Sequence, residues 1–570
     1  MFFWVQNRVW TALSVGLYLL TATQVAFGAE YGPPDAGALM QQYERQNQMP
    51  IPQAKRPQLA LPGELRSLNG VTVKVTLFKF VGNTQISSDS LSKVVQPWVG
   101  KDDSFEDLQN AAIAVANAYR EAGWIVRTFL PEQDGTEGVI TIQIVEATLG
   151  KVAVEKQGDV RFSEGVAKDY VVSVQPIGSQ ISEAALDRSL LLLRDLPGVD
   201  VEGNLSQGEQ DSETDLILTL KPKPLVSGVV TLDNYGAKST GANRESLNFR
   251  LNSPLGLGDL SMVNYTHTQG SNYARIDEIF PIGVNGFTAG AYFSTFSFTN
   301  IDPAFASLAL TGGSNNFGLY QSYPLIRTTA ENLYIKTTED HKAMNNQSMG
   351  VSTSNYTIDV ASFSLVADRY DSFFGGGVNN GSLGFYVGNV NLAGSPNQAS
   401  NAIGPQTAGA YQKILASISR LQQIDDKNTL YGSFTGQLAS KNLDSSEQLY
   451  LGGPYAVRAY PSSEGGASQG LYMNLEYRHN LYDNIVAAAF YDAGAATVNK
   501  NNSFAGAAVI NSYNIQGGGL SLTATNFYGF NASAVWAHRF GENPLKNYAG
   551  LDPDGTLVLN RYWVNVSYPF

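Results

Sequence analysis

Four histidines, His267, His341, His479 and His538, are the only imidazole groups in the 570 residues, and each stands alone. None lies in an H-E-x-x-H pattern, which would set two zinc ligands and a base on one helix face. No G-x-S-x-G elbow presents a serine nucleophile, and no G-x-x-x-x-G-K-[ST] loop offers its amides to a nucleotide phosphate. Cysteine is absent, which removes disulfides and thiolate metal sites together and suits a chain that crosses an oxidising compartment unfolded. A formal net charge of -13 leaves no basic stripe to follow nucleic-acid phosphates. The expectation is therefore no catalytic residue, no metal, no cofactor and no nucleic acid. A hydrolytic barrel, the enzyme alternative, would have to work with isolated histidines. What remains is chemistry without covalent steps: backbone edges that accept a guest strand, and ion pairs that hold or release a segment.

The elements that would position such chemistry begin with residues 1–28. A single early charge, Arg8, precedes an apolar stretch through Leu13, Val15, Leu17 and Leu20, and Ala26-Phe27-Gly28 closes it as a small-x-small site. This reads as a secretory signal, with an N-terminal membrane anchor as the alternative. Beyond it no run of eighteen or more apolar residues occurs, so any membrane crossing must use strands closed into a barrel. In the next segment, 29–48, Asp35 can cap a short helix through Leu39, Met40 and Tyr43 to about Gln46, the alternative being a disordered start of the mature chain. Prolines in 49–70 deny that stretch a helix and make it an extended linker. A short helix on a long tether is a detachable element.

Two similar α+β units follow. In residues 71–148, Val71, Val73, Val75 and Leu77 alternate with polar residues as one half-buried strand. Leu91, Val94 and Val95 mark a helix, and Phe105, Leu108, Ala112, Val115 and Tyr119 mark a second one stopped by Gly123. Ile140, Ile142 and Ile144 form a returning strand. Residues 149–223 repeat the order, with Val152 and Val154, a helix through Leu186, Leu190 and Leu193 ending at Pro197-Gly198, and a closing strand through Leu216, Leu218 and Leu220.

From 224 to 570 the helical period disappears. Short alternating segments separated by Gly, Asn, Asp and Ser take over, among them Leu225–Asp233, Ser261–His267, Ile414–Leu421 and Tyr562–Phe570. With Gly 56, Tyr 29 and Phe 27 against 15% charged residues, this is the composition of a barrel wall. At roughly 22 residues per strand with its turn, the length holds about 16 strands of a transmembrane antiparallel β-barrel. A large soluble β-sandwich or propeller is the alternative. Tyr562, Val564, Val566, Tyr568 and Phe570 share one face and Arg561, Trp563, Asn565 and Ser567 the other, as a last lipid-facing strand with an aromatic girdle requires.

The chain resembles the two-partner secretion transporters (TpsB type) that export haemolysin-like and haemagglutinin-like proteins, within the POTRA-barrel outer-membrane superfamily. In the first unit the likeness lies in Phe80-Val81-Gly82-Asn83-Thr84, Tyr119-Arg120-Glu121-Ala122-Gly123 and Ile144-Val145-Glu146-Ala147, and in the second in Leu191 to Val199 with Pro197 and Gly198. Asp233-Asn234-Tyr235-Gly236 is similar to the family's first barrel strand, and Gly37 to Gln46 to its plug helix. Val457-Arg458-Ala459-Tyr460 resembles the V-R-G-[YF] tip of an inward-folding sixth loop, here around 445–470, and Phe490-Tyr491-Asp492-Ala493-Gly494 the F-x-D-x-G strand motif. Ala459 departs from the usual glycine. Tyr568 and Phe570 match the aromatic signal that the barrel assembly machinery reads.

The resemblance implies two POTRA domains in the periplasm, a plug helix with Leu39, Met40 and Tyr43, and a latch between Arg458 and Asp492 in an outer-membrane barrel of a Gram-negative bacterium. A guanidinium gripping a carboxylate by two parallel bonds would hold the loop inside. The implied function is export of a large, unfolded secreted partner (haemagglutinin-, haemolysin- or adhesin-like) without ATP. The alternatives are an insertase that assembles other barrels and a diffusion porin. The transporter reads an export signal, so the identity of the partner is not written in this chain.

Overall fold

Sixteen antiparallel strands from Val226–Asp233 to Asn560–Pro569 form a closed barrel in which every strand pairs with its sequence neighbour and the last pairs with the first. The computed structural model describes residues 34–44, 72–133, 137–210, 213–462, 464–546 and 550–570. The expected signal segment 1–28, the linker 49–70, Val71, and residues 29–33 and 45–48 of the expected plug segment lie outside the described residues.

Alternation builds the wall. Along Leu260–Thr268, Met262, Asn264, Thr266 and Thr268 are buried inside, while Val263 and Tyr265 face outward and are exposed. On the last strand Tyr562, Val564, Val566 and Tyr568 are exposed and Trp563 is buried, as the two faces of that segment predict. Closure pairs the backbone donors and acceptors of each strand with those of a neighbour, the condition for strands to lie in lipid.

The first module corrects one detail. The run from Val73 to Leu77 is two strands, Thr72–Lys74 and Leu77–Val81, because the chain turns at Val75 and Thr76. Val75 is buried, but the phase then flips: Leu77 is exposed and Phe78 and Phe80 point into the core. Thr72–Lys74 pairs with Asp102–Ser104, and Leu77–Val81 joins a sheet centred on Val139–Glu146 with Val126–Phe129 on its other side. The helix Phe105–Glu121 starts on a capping box from Ser104 and Asp107 and packs Leu108, Ala112, Val115 and Tyr119 on that sheet. Phe105, at its first turn, stands exposed outside the core.

The second module has the expected order plus two elements that were not legible, the helix Glu164–Val172 and the strand Val199–Gln207. Its sheet runs Thr148–Lys156, Glu213–Pro222, Val199–Gln207, beneath that helix and Glu183–Arg194. Backbone bonds tie the modules together: the Ile125 amide to the Ile181 carbonyl, Ile181 to Ala147, and Glu183 to Gly123. Glu146 sits at this junction, accepting from the Thr84 and Gln85 amides (2.7 and 2.9 Å), the Tyr119 hydroxyl (2.8 Å) and the Gln180 amide group (2.6 Å), as well as the Thr84 hydroxyl. Burial alone would raise its carboxyl, yet these donors together hold it below the ordinary range. Burial and the adjacent carboxylate push the Tyr119 hydroxyl well up. Gly82 and Gly123, both at positive φ, place the turns on either side of this junction.

The second module is fixed to the barrel. Arg327 makes a bidentate pair with Asp195 (2.7 Å for each bond), Arg188 donates to the Pro324 carbonyl, and Arg161 to the Asn252 and Pro254 carbonyls. Gly198, just after Pro197 and at positive φ, lies against Ser253 so closely that a Cβ would meet that side chain at 2.7 Å. These contacts fall at the barrel turns after the second and sixth strands.

Candidate functional site: a lumen closed by its own chain

The helix Ala36–Glu44 lies inside the barrel. Asp35 caps it by accepting from the Ala38 amide (2.9 Å), and Leu39, Met40 and Tyr43 are buried against Ala237, Tyr273, Phe296 and Phe298. The Tyr43 ring stacks on Tyr273 at 5.2 Å. Polar contacts hold the helix at both ends: Ser445 donates to Asp35 and the Ala36 amide to Asn346, while Glu44 pairs with Arg275 at 2.5 Å and accepts from Ser294. Arg275 also grips Asp277 and lies 3.6 Å over the Tyr292 ring.

The long connection 440–468, between the strands Asn428–Ala439 and Gln469–Tyr482, folds back into the lumen. Its tip brings together the residues that the sequence motifs named. Arg458 donates to Asp492 through Nε (2.8 Å) and Nη2 (2.7 Å), and its amide bonds the same carboxylate at 3.1 Å. The guanidinium lies 3.5 Å over the Phe490 ring. Val457 and Tyr460 are fully buried beside it, and Gly494 makes room, since a Cβ there would meet Leu451 at 2.8 Å. Ala459, where a glycine is usual, is also fully buried, and its methyl faces Gly517 so closely that a Cβ at 517 would clash with it. The turn is thus kept, and the space comes from the opposite strand.

Three partners of this latch escaped the sequence reading. Glu476 bonds Arg458 Nη1 at 2.6 Å and is itself held by Arg478 (2.6 Å), while Asn474 donates to Asp492 (2.8 Å) and to the Ala456 carbonyl. Asn474, Glu476 and Arg478 alternate on one strand, so strand periodicity could have placed them on one face. At the root of the loop, Glu447 is clamped between Lys342 (2.6 Å) and Lys413 (2.7 Å). The eighth connection adds Asp552, fully buried between Arg539 and Arg561, with Asn543 reaching Glu464 of the sixth loop.

At the end of the first strand, Asp233 pairs with Arg244 through two bonds (2.7 and 2.8 Å), and Asn234, Tyr235 and Gly236 turn the chain inward. On the outer wall Tyr568 and Phe570 are half exposed, and the Phe570 ring lies over Gly228. Below the plug helix a polar cavity of about 710 Å³ is lined by hydroxyls such as Thr338, Ser362, Ser382, Ser417 and Ser433, with Glu44 at its edge.

A sixteen-stranded wall thus encloses a lumen that holds a cavity of largely polar side chains and two inserted segments. The family described as haemolysin secretion/activation protein ShlB/FhaC/HecB matches residues 212–515, and the POTRA domain of ShlB type matches residues 73–147. The chain belongs to the ShlB/FhaC/HecB family. Members of the family are protein transporters, which places the barrel of this ShlB/FhaC/HecB protein in the outer membrane and its POTRA domains in the periplasm. It is 26% identical over 435 residues to the heme/hemopexin transporter protein HuxB of Haemophilus influenzae, covering 74% of this chain and 75% of that one. It is 24% identical over 474 residues to the outer membrane transporter CdiB of Escherichia coli, covering 80% and 78%. In fold it is similar to the solved CdiB from Escherichia coli, with a TM-score of 0.70 at 19% identity over 95% of this chain and 100% of that one. BamA from Haemophilus ducreyi lacking POTRA domains 1-3 is more distant, with a TM-score of 0.53 at 12% identity over 87% of this chain and 100% of that one. Among these, the named sequence relatives of the ShlB/FhaC/HecB chain are transporters.

Proposed function

We propose that this transporter captures a large unfolded partner, haemagglutinin-, haemolysin- or adhesin-like, through its periplasmic POTRA domains and exports it through the barrel without ATP. The observation that carries the reading is how the lumen is shut. The plug helix and the sixth loop fill it, and both are held by side-chain bonds that can be undone while the wall stays paired. In this reading Leu39, Met40 and Tyr43 seat the plug, and Val457, Arg458, Tyr460, Phe490, Asp492 and Gly494 form the latch.

The POTRA sheets end in the edge strands Leu77–Val81 and Val199–Gln207, where a guest strand can be added through backbone hydrogen bonds that tolerate many sequences. Gly82, Tyr119 and Gly123 fix the shape of the first module, and Pro197 and Gly198 seat the second on the barrel. Tyr568 and Phe570 serve as the signal for the barrel assembly machinery and as contacts to outer-membrane lipid. Folding of the partner outside prevents its return.

The test compares proteins at the surface and in the medium with the wild-type chain, the Asp492→Asn variant and a deletion. A large protein present with wild type and missing in both others supports export. An unchanged set of external proteins with a general loss of other barrels would indicate assembly instead and overturn the reading.

A further inference from the structure

On the outer wall one stretch is cut away. The strands Ile485–Thr497 and Phe530–Arg539 turn small methyls to the lipid side, Ala487 and Ala489 on the one and Ala534 on the other, while Ala488, Phe490 and Asp492 face the lumen. The strands beside them carry longer side chains outward: Tyr477 and His479 on Gln469–Tyr482, Leu520 and Leu522 on Ser512–Phe527, and Tyr562 and Val564 on Asn560–Pro569. Trp563, between the last two, turns inward, where its indole N–H donates to the Arg458 carbonyl (2.8 Å). The result is a trough of about 530 Å³ lined almost wholly by apolar atoms. Elsewhere the outward row is filled, as by Leu383, Phe385 and Val387 on Gly377–Asn391.

Tyr477, Ala489, Leu520, Trp536 and Tyr562 share one register row along this trough. Tyr477 lies near the periplasmic end of its strand and Tyr562 near the extracellular start of the last one, so the row climbs the wall. Four interstrand steps make it about 19 Å long, more than one leaflet of a hydrocarbon core about 30 Å thick. That length and lining fit one acyl chain, which the bilayer supplies on this face.

The lower end of the trough is polar in a particular way. Asn428 turns its amide group to Asp425 (2.8 Å to each oxygen), which fixes its own oxygen as the acceptor for the Tyr477 hydroxyl and for His479 Nδ1 (2.7 Å each). With Nδ1 donating, Nε2 of the neutral ring is an acceptor. The turns after the tenth and twelfth strands, on the side of the modules, add Asp425, Asp426 and Asp483, all exposed, against the single lysine Lys427. Acceptors and negative charge at the foot of an apolar trough suit a headgroup that ends in an ammonium and repel one that is only anionic.

We infer that this trough is a binding site for one phospholipid of the periplasmic leaflet, with an acyl chain over Ala487, Ala489 and Ala534 and the ammonium of a phosphatidylethanolamine headgroup beside His479 and the acidic turns. The site needs only the barrel in its membrane and does not depend on the export reading. An alkyl chain in the trough touches alanine methyls beneath and longer side chains on both flanks, so it gains dispersion contacts that a chain passing over smooth wall lacks.

The test reads lipid retained on the full-length chain by mass spectrometry of the intact protein in mild detergent. Extracted directly from outer membranes, the chain should carry one phosphatidylethanolamine; lipopolysaccharide in its place overturns the assignment. After passage through vesicles of equal phosphatidylethanolamine and phosphatidylglycerol with the same acyl chains, the first should be retained about fivefold over the second, the scale of one interfacial charge contact. Ala487→Leu with Ala489→Leu fills the trough from the lipid side, and retained lipid should fall about tenfold while heat-modifiable migration shows the barrel assembled. Asp426→Asn with Asp483→Asn lies on the turns outside the wall and serves if the filled variant does not assemble; it should keep a lipid and lose the preference between headgroups. Wild type that retains no lipid, a filled variant that retains as much as wild type, or a headgroup preference unchanged by the turn variant overturns the site.

Discussion

The plug helix and the sixth loop fill one lumen but are held in different ways. The plug is a nine-residue helix, too short to persist alone in water, and it rests on one apolar face with one ion pair, Glu44 to Arg275, and neutral hydrogen bonds from its polar residues. The loop is anchored by a buried bidentate pair, a second carboxylate, a stacked ring and its own apolar cluster through Leu449, Leu451, Val457 and Tyr460. Some bonds of the plug are made to the loop itself, from Ser445 to Asp35 and from Gln41 to the Gln448 carbonyl. The asymmetry teaches an order of events. In the proposed reading the plug would leave with the latch intact, whereas withdrawal of the loop would also break the bonds that Ser445 and Gln448 make to the plug segment.

The largest effect should come from breaking the stronger anchor. Arg458→Ala leaves Asp492 buried beside Glu476 without its cation, a loss on the order of 3–5 kcal/mol, and export should fall to background while the barrel still shows heat-modifiable migration. Overpacking the same anchor comes next. Gly517→Ala pushes a methyl onto Ala459, costs about 1–3 kcal/mol, and should reduce secretion; adding Ala459→Gly should restore it only in part, because the new Cβ also comes within 2.7 Å of the His538 carbonyl oxygen. The weaker anchor gives a smaller and opposite result. Glu44→Gln removes one charge-assisted bond to Arg275, so the open fraction in bilayers should rise about tenfold while the partner is still exported.

The smallest change lies outside the lumen. The folded-state value of Glu146 is depressed, so its contribution to the module junction is complete above the ordinary glutamate value of about 4.3 and fades as pH falls below it. Protection factors for hydrogen exchange at Ile125 and Ile181, corrected for the intrinsic rate, should fall below that pH in wild type, and Glu146→Gln should show the lower protection already at neutral pH. If the protection factors there are indifferent to pH, the junction is held by its backbone bonds alone.

Much of this was legible in the residues. Strict alternation marked the wall, and the face of Tyr562 to Phe570 told inside from outside correctly because the period of a strand is fixed. Asp35 and the spacing of Leu39, Met40 and Tyr43 marked the helix. What stayed hidden depends on three dimensions. Nothing local says that Glu476 meets Arg458, or that Gly517 makes room for Ala459 from two strands away. Trp563 was placed on the inner face, but its partner is a backbone carbonyl, which has no signature in sequence. The break at Val75 was masked because a change of phase between two short strands looks like one strand with an irregular end.

The joint between the second α+β module and the barrel carries a last consequence. Three residues, Lys223, Pro224 and Leu225, separate the closing strand of that domain from the wall, and Asp195 is bolted to Arg327 across the joint. The domain is then less a swinging arm than a porch built onto one side of a doorway. A chain arriving from the periplasm would be handed in along that side, so which flank of the mouth it grazes first is set by masonry before any gate opens.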